Sequence, residues 1–234
     1  FTLDGTRSYL VGSRRIAVID PGPDVEDHVR ALVSAVDHAD EVAIVLTHGH
    51  ADHAAAAPGL ALEIGAEVWG PAGLEGVDRI LADGDIVSTD VGSLVVVHTP
   101  GHTVEHLCLH WLERDALFAG DLLLGEGDTT WVAEYPGCVA DYLASISRVR
   151  GLNLSTLYPA HGPPLVDPTE ALDRFEGHRL ARIKQVERAV IAHPEADLED
   201  LLDLVYGDTV PPAMRGAARM SLSALVEYVR GGTD

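Results

Sequence analysis

Cysteine, lysine and long apolar runs are all scarce in this chain. Two cysteines among 234 residues, Cys108 and Cys138, exclude a disulfide scaffold and a cysteine-ligated zinc module. Cysteine usage of this kind points to a cytoplasmic protein. The longest continuous apolar run, around Val42 to Leu46, is strand-sized and far short of a membrane span, so no membrane association is expected. Bases are outnumbered: 16 Lys and Arg, with Lys184 the one lysine, face 37 Asp and Glu, for a formal net charge of −21. Such a charge repels polyanions at long range and argues against non-specific nucleic-acid binding, although bound metal reverses the field locally. An initiator methionine is also missing. The chain opens on Phe1 and runs into a strand pattern, so a native N-terminal segment, contributing a strand of its own, is expected to precede it.

What is present suits a globular α/β protein. The composition is 47% hydrophobic and 23% charged, and a chain of this length buries roughly 70–75% of its unfolded surface without needing a disulfide. Short strands are predicted at Tyr9–Val11 and Arg15–Ile19, the second closed by the turn signal Asp20-Pro21-Gly22. Val25–Ala39 has helical spacing, with Val29, Leu32, Val33 and Val36 on one face. Glu41–Thr47 reads as a strand buried on both faces. Further strands are predicted at Ala66–Trp69, Ser93–Thr99, His106–Leu112, Ala116–Ala119 and Thr156–Tyr158, with a helix at Val139–Val149. Trp69 and Trp111 are expected in the core, and Cys108 as a small buried hydrophobe. After Pro163-Pro164 only helical patterns follow, at Pro168–Ala192, Leu198–Val205 and Pro212–Arg230, so a boundary is placed at Asp167 between a mixed domain (1–167) and a helical one (168–234).

The chemistry concentrates at the end of the Glu41–Thr47 strand. Thr47-His48-Gly49-His50-Ala51-Asp52-His53 puts four ligand-type side chains within six residues, a density of imidazole and carboxylate that suits zinc, or manganese or iron. Three more candidates each follow a predicted strand: His102 in Pro100-Gly101-His102-Thr103, Asp121 in Gly120-Asp121, and His161 in Pro159-Ala160-His161-Gly162. Each alone is weak, but together they describe a sheet presenting ligands on loops at one edge. His106 fits a supporting residue better than a ligand.

This motif and its spacing resemble the metallo-β-lactamase superfamily of metal-dependent hydrolases, over about Leu3 to Pro164. The resemblance implies a four-layer αβ/βα sandwich with a two-metal site at one sheet edge. It implies that His48, His50 and His102 hold one metal, that Asp52, His53 and His161 hold the other, and that Asp121 bridges them. With two divalent ions there, the carboxylates Asp52 and Asp121 leave excess positive charge, enough to deprotonate a shared water near neutral pH and polarise an electrophile, and Asp52 is the candidate catalytic residue that orients this hydroxide. Antibiotic hydrolysis is not implied, because the common secreted β-lactamases carry a cysteine where Asp121 stands. Only 39 residues separate Asp121 from His161, which leaves no room for the domain inserted in the large RNA-processing nucleases. The basic cluster with which hydroxyacylglutathione hydrolases grip glutathione is also missing.

Leu124-Gly125-Glu126-Gly127 with Thr129-Thr130, the Tyr158-Pro159 block and His178-Arg179 resemble the branch related to β-lactamase-like protein 2. That branch has a small C-terminal winged-helix-like domain; an animal member cleaves single-stranded RNA, and fungal relatives are thioesterases. Asp128 and the segment from Trp131 to Val139 depart from the animal form. Between 174 and 188 five bases stand against two acids, either as a solvated helix face or as a cleft wall in which His178, Arg179 and Arg182 receive a phosphate or carboxylate. Trp131 is placed to stack on a base or an acyl group or simply to pin its loop. The expected substrate is therefore single-stranded RNA or a small acyl ester or thioester. A mono-iron enzyme oxidising sulfur compounds on the same scaffold is the alternative. The leucine-rich faces of the last two helices also make a homodimer partner conceivable.

Overall fold

In the computed structural model, which describes Leu3 and residues 5–231, two five-stranded sheets lie face to face with helices on both outer surfaces. Phe1, where an incoming strand was expected, lies outside the described residues. The chain begins with β1 (Tyr9–Val11), β2 (Arg15–Ile19), helix α1 (Glu26–Val36) and β3 (Glu41–Val45). There follow α2 (Ala51–Ala54), α3 (Ala57–Ile64), β4 (Glu67–Gly70) and β5 (Arg79–Ile80). These strands make the first sheet, in the order β1-β2-β3-β4-β5, antiparallel at β1/β2 and parallel thereafter. The second sheet takes β6 (Ile86–Thr89), β7 (Gly92–His98), β8 (Leu107–Trp111), β9 (Ala116–Gly120) and, after helix α4 (Cys138–Arg150), β10 (Thr156–Pro159). Its order is β10-β9-β8-β7-β6, parallel only at β9/β10. Three helices close the described chain: α5 (Pro168–Ala192), α6 (Leu198–Tyr206) and α7 (Arg215–Gly231).

Period-two alternation explains the layering. Along β2, Ala17 and Ile19 enter the core between the sheets, while Ile16 and Val18 pack under α1 and α3. Along β9, Phe118 points between the sheets and Leu117 and Ala119 face α4. Strands apolar on both faces therefore read as continuous runs, as Glu41–Thr47 does. Val29, Leu32 and Val36 of α1 are buried; Val33 is half-buried. Predicted elements fall within a few residues of the observed ones, but β5, β6, α2 and α3 carry too little pattern to be read. Trp69 and Trp111 are half-buried rather than central, each with an arginine over its ring, Arg79 at 4.2 Å and Arg114 at 5.6 Å.

Residues 168–231 are helical as expected, but they contain no β-hairpin wing. One apolar cluster runs without a break from Leu117 on β9 through Tyr142 and Ile146 on α4 to Phe175, Leu202 and Leu222 on the last three helices. Among the described residues no helix is long and apolar enough to cross a membrane.

Candidate metal centre

The sheet edge where β2, β3, β9 and β10 terminate collects the chemistry. Asp20 follows β2, His48 follows β3 within three residues, Asp121 follows β9 directly, and His161 stands two residues past β10. His102 lies in the turn after β7. Backbone bonds clamp this edge: Leu107 N donates to Thr47 O at 2.8 Å, and Ala160 N donates to Gly120 O at 3.0 Å. Two glycines are required by close approach. Gly120 has φ +49°, and a Cβ there would meet His106 Nε2 at 2.6 Å. Gly101 has φ +135°, and its Cβ would meet the Tyr142 backbone at 2.6 Å.

All seven residues singled out as ligand candidates come together. His48, His50, His102 and Asp121 form one group and Asp52, His53 and His161 a second, ligand atoms within each lying no more than 4.8 Å apart. Asp121 faces both: Oδ2 is 3.4 Å from His102 Nε2, and Oδ1 is 3.3 Å from His161 Nε2 and 3.5 Å from His53 Nε2.

Outer hydrogen bonds orient the five imidazoles. His53 Nδ1–H donates to Asp20 Oδ2 at 2.9 Å, and His161 Nδ1–H to Gly5 O at 3.1 Å. His102 Nδ1–H donates to Trp131 O at 2.8 Å, and His50 Nε2–H to Glu134 Oε1 at 2.8 Å. Thr47 Oγ1 gives its proton to Asp20, so it accepts from His48 Nδ1–H at 3.0 Å. Each ring thus spends one nitrogen on an oxygen and turns the other inward. His48 Nε2, His53 Nε2 and Asp121 Oδ1 are buried with no hydrogen-bond partner, and His50 Nδ1 and His102 Nε2 face each other at 3.0 Å. Such a cluster of buried polar atoms is costly unless a cation, a metal ion or a bound proton, lies among them. The donor set, imidazole with carboxylate, fits divalent metal.

The two groups differ in charge. Burial holds His48 well below the ordinary imidazole range, with His53, His106 and His102 adding repulsion, and burial also lowers His102. Burial opposes charge on His53 as well, but Asp20 and Asp121 outweigh it and push its pKa up to about 10. His161 is raised against burial by Asp121. Asp121 in turn lies well below the usual carboxylate range because His161 and His53 overcome its desolvation.

His106 is not in either group. Its Nε2 accepts from Asp121 N at 3.1 Å, and its Nδ1–H donates to Thr99 Oγ1 at 2.9 Å. Burial lowers it to about 3, so it stays neutral. Asp20, Thr47, Thr130 and Glu134 were assigned no role at the site from the sequence, although Thr47 and Thr130 fall within motifs quoted from it. Asp20 was read only as a turn residue; its left-handed φ of +48° is the strained corner that turns its carboxylate under His53 and Thr47.

The remaining candidates sit on or near α5. Arg179 is corrected: it does not line an open cleft to receive an anion but is 3% exposed, its Nη2–H donating to Thr130 O at 3.0 Å and its guanidinium 5.2 Å from the Tyr142 ring centre. Arg182 is half-buried, bonded to Gln185 Oε1 at 2.9 Å and lying over the Tyr206 ring. His178 is half-buried with its pKa lowered by burial, and it interacts with Asp128 and Arg182. Trp131 is half-buried, and its carbonyl is what reaches His102.

A sandwich carrying this ligand set at its sheet edge matches a known family model, the metallo-beta-lactamase superfamily, over residues 1–161. The chain belongs to that superfamily. It is 34% identical over 230 residues to the Beta-lactamase-like protein 2 homolog of Caenorhabditis elegans, covering 93% of this chain and 76% of that protein. It is also 34% identical over 197 residues to the Atrochrysone carboxyl ACP thioesterase of Aspergillus chevalieri, covering 81% of this chain and 62% of that protein. Among solved structures, a Beta-lactamase domain protein from Burkholderia ambifaria shares the fold with a TM-score of 0.85 at 20% identity, over 99% of this chain and 83% of that one. The chain thus spans about three quarters of the worm relative and three fifths of the fungal one. As a member of this hydrolase superfamily, with thioesterase- and lactamase-like relatives, it is an enzyme.

Proposed function

We propose that the protein hydrolyses a small acyl ester or thioester with two divalent metal ions, zinc first and manganese or iron as substitutes. His48, His50 and His102 would hold one ion and Asp52, His53 and His161 the other, with Asp121 between them. Bound there, two such ions supply the charge that lowers the pKa of a water and polarises the electrophile's oxygen. Asp52 would orient the incoming water and hold its proton, a role supported by its being the one carboxylate of the set with a third of its side chain open to solvent. Trp131, His178 and Arg182, each half-buried, are the groups assigned to substrate contact.

The observation that carries the acyl reading over RNA is the state of the basic helix. On that helix Arg179 is internal, Arg174 lies 3.7 Å from Glu170, and Arg182 is bonded to Gln185 Oε1 at 2.9 Å. Of its five cations Lys184 and Arg188 are left exposed, too few for a phosphate track against a net charge of −21. The thioesterase among the relatives agrees with this choice.

The test is to determine metal content and then assay the loaded protein on a short acyl thioester of N-acetylcysteamine and on labelled single-stranded RNA, with Asp52→Ala beside it. Two metals per chain and thioester turnover that is insensitive to salt and lost in the variant are expected. RNA cleavage falling steeply with salt, with no acyl turnover, would overturn the acyl reading. One iron per chain with oxygen uptake would overturn hydrolysis in favour of sulfur oxidation.

A further inference from the structure

The segment from Asp121 to Gly137 connects β9 to α4 without a helix or strand, so no ladder satisfies its backbone. It nevertheless supplies three supports to the His48/His50/His102/Asp121 group. Thr130 Oγ1 donates to Asp121 O at 2.8 Å, Trp131 O accepts from His102 Nδ1, and Glu134 accepts from His50 Nε2. Val132, 1% exposed, pegs the segment into the core under α4. Gly125 N donates to His161 O at 2.8 Å near its start and Tyr135 Oη to Asp141 Oδ2 at 2.9 Å near its end, while between them the carbonyl of Thr130 is held by Arg179 from α5.

Arg179 is an expensive way to fill that space. Among the described residues no carboxylate lies within ion-pair distance of it, and its Nε has no partner. A buried guanidinium with no counter-charge is strongly disfavoured, and an apolar side chain would be the better filler. What an apolar residue lacks is a charge-assisted donor for the Thr130 carbonyl.

We infer that Arg179 is a positioning residue that fixes residues 130–134, and through Trp131 and Glu134 the orientation of His102 and His50, so that the C-terminal helices form part of the metal centre. This rests on the metal-binding reading above and not on the choice of substrate. The Asp52/His53/His161 group takes its outer bonds from Asp20 and Gly5, which Arg179 does not reach.

The test is a cobalt(II) titration of the metal-free full chain, followed by visible absorption, with Asp52→Ala and His50→Ala assigning the two binding steps. Arg179→Met keeps the volume and removes the donor. It is expected to weaken the His50-dependent step about ten- to hundred-fold and change its ligand-field spectrum, leaving the other step within about threefold. Arg179→Lys, which keeps a cationic donor, is expected to restore much of the loss. Val186→Ala, two turns along the same helix and fully buried, is expected to lower Tm without altering either step selectively. Parent-like binding by Arg179→Met, or a loss spread equally over both steps as the Tm falls, would overturn the inference. Failure of the parent chain to bind two cobalt ions would instead overturn the metal-binding reading beneath it.

Discussion

The two ligand groups lie side by side and use the same side-chain types, yet they are held by different parts of the molecule. His53 and His161 lean on Asp20, at the end of a central strand, and on the Gly5 carbonyl, which the bridge from Thr6 to His161 brings alongside. His50 and His102 lean on Glu134 and Trp131, in a connection with no regular structure, itself fastened by Arg179. One group is therefore as rigid as the sheet, and the other only as rigid as its loop. The rigid group is also the more charged, because Asp20 and Asp121 flank His53. Loops carry the variation within a fold while the sheet stays fixed, so the loop-held side is where substrate choice is expected to be set.

The largest effect is expected where the groups meet. In Gly120→Ala the new Cβ would collide with His106 and Thr47, and the left-handed φ would strain any side chain. Asp121 must shift, so metal analysis should show both ions lost, and hydrolysis should fall about 10²-fold or more. Retention of either ion would mean that one group stands without Asp121.

Asp20→Asn separates the halves. Losing the carboxylate under His53 should weaken the sheet-held step about ten- to hundred-fold in a chelator competition. The loop-held step should suffer less, since Asp20 reaches it only through Thr47 and His48. Equal losses would break the comparison. Glu134→Gln acts on the other side and more weakly, because Glu134 and His50 are each 34% exposed and water replaces part of the lost bond; a loss of less than about tenfold, confined to the His50-dependent step, is expected.

The smallest effect concerns Cys108, buried below both groups, whose thiol burial pushes up to about 12. At pH 8 only about one in ten thousand such thiols is ionised. Ellman's reagent should therefore leave Cys108 untouched in the native protein, with both metal-binding steps unchanged, and should titrate it in denaturant.

The candidate ligands were legible because metal chemistry restricts residue type to His, Asp and their like, and such residues stand at 48, 50, 52, 53, 102, 121 and 161. The glycine before Asp121 and the strands feeding the site were legible for similar reasons of turn chemistry and apolar runs. The residues that aim those ligands were not. Trp131 and Gly5 act through carbonyls, which every residue possesses, and a carbonyl leaves no mark in a sequence. Arg179 shows the opposite error. Its helix, Pro168–Ala192, was read to the residue, but a cationic side chain suggests solvent or an anion, and only packing revealed that this one points inward.

The sequence alone therefore pointed to the seven candidate ligands, the strand-loop framework that carries them and the hydrolase superfamily, because periodicity and metal chemistry are written in residue identity. Tertiary structure alone decided that Asp20 lies under His53, that residues 130–134 close over His50 and His102, and that α5 to α7 share the apolar core of the second sheet. These relations depend on long-range backbone bonds and on which face of a helix is buried, and neither has a local signature in the chain.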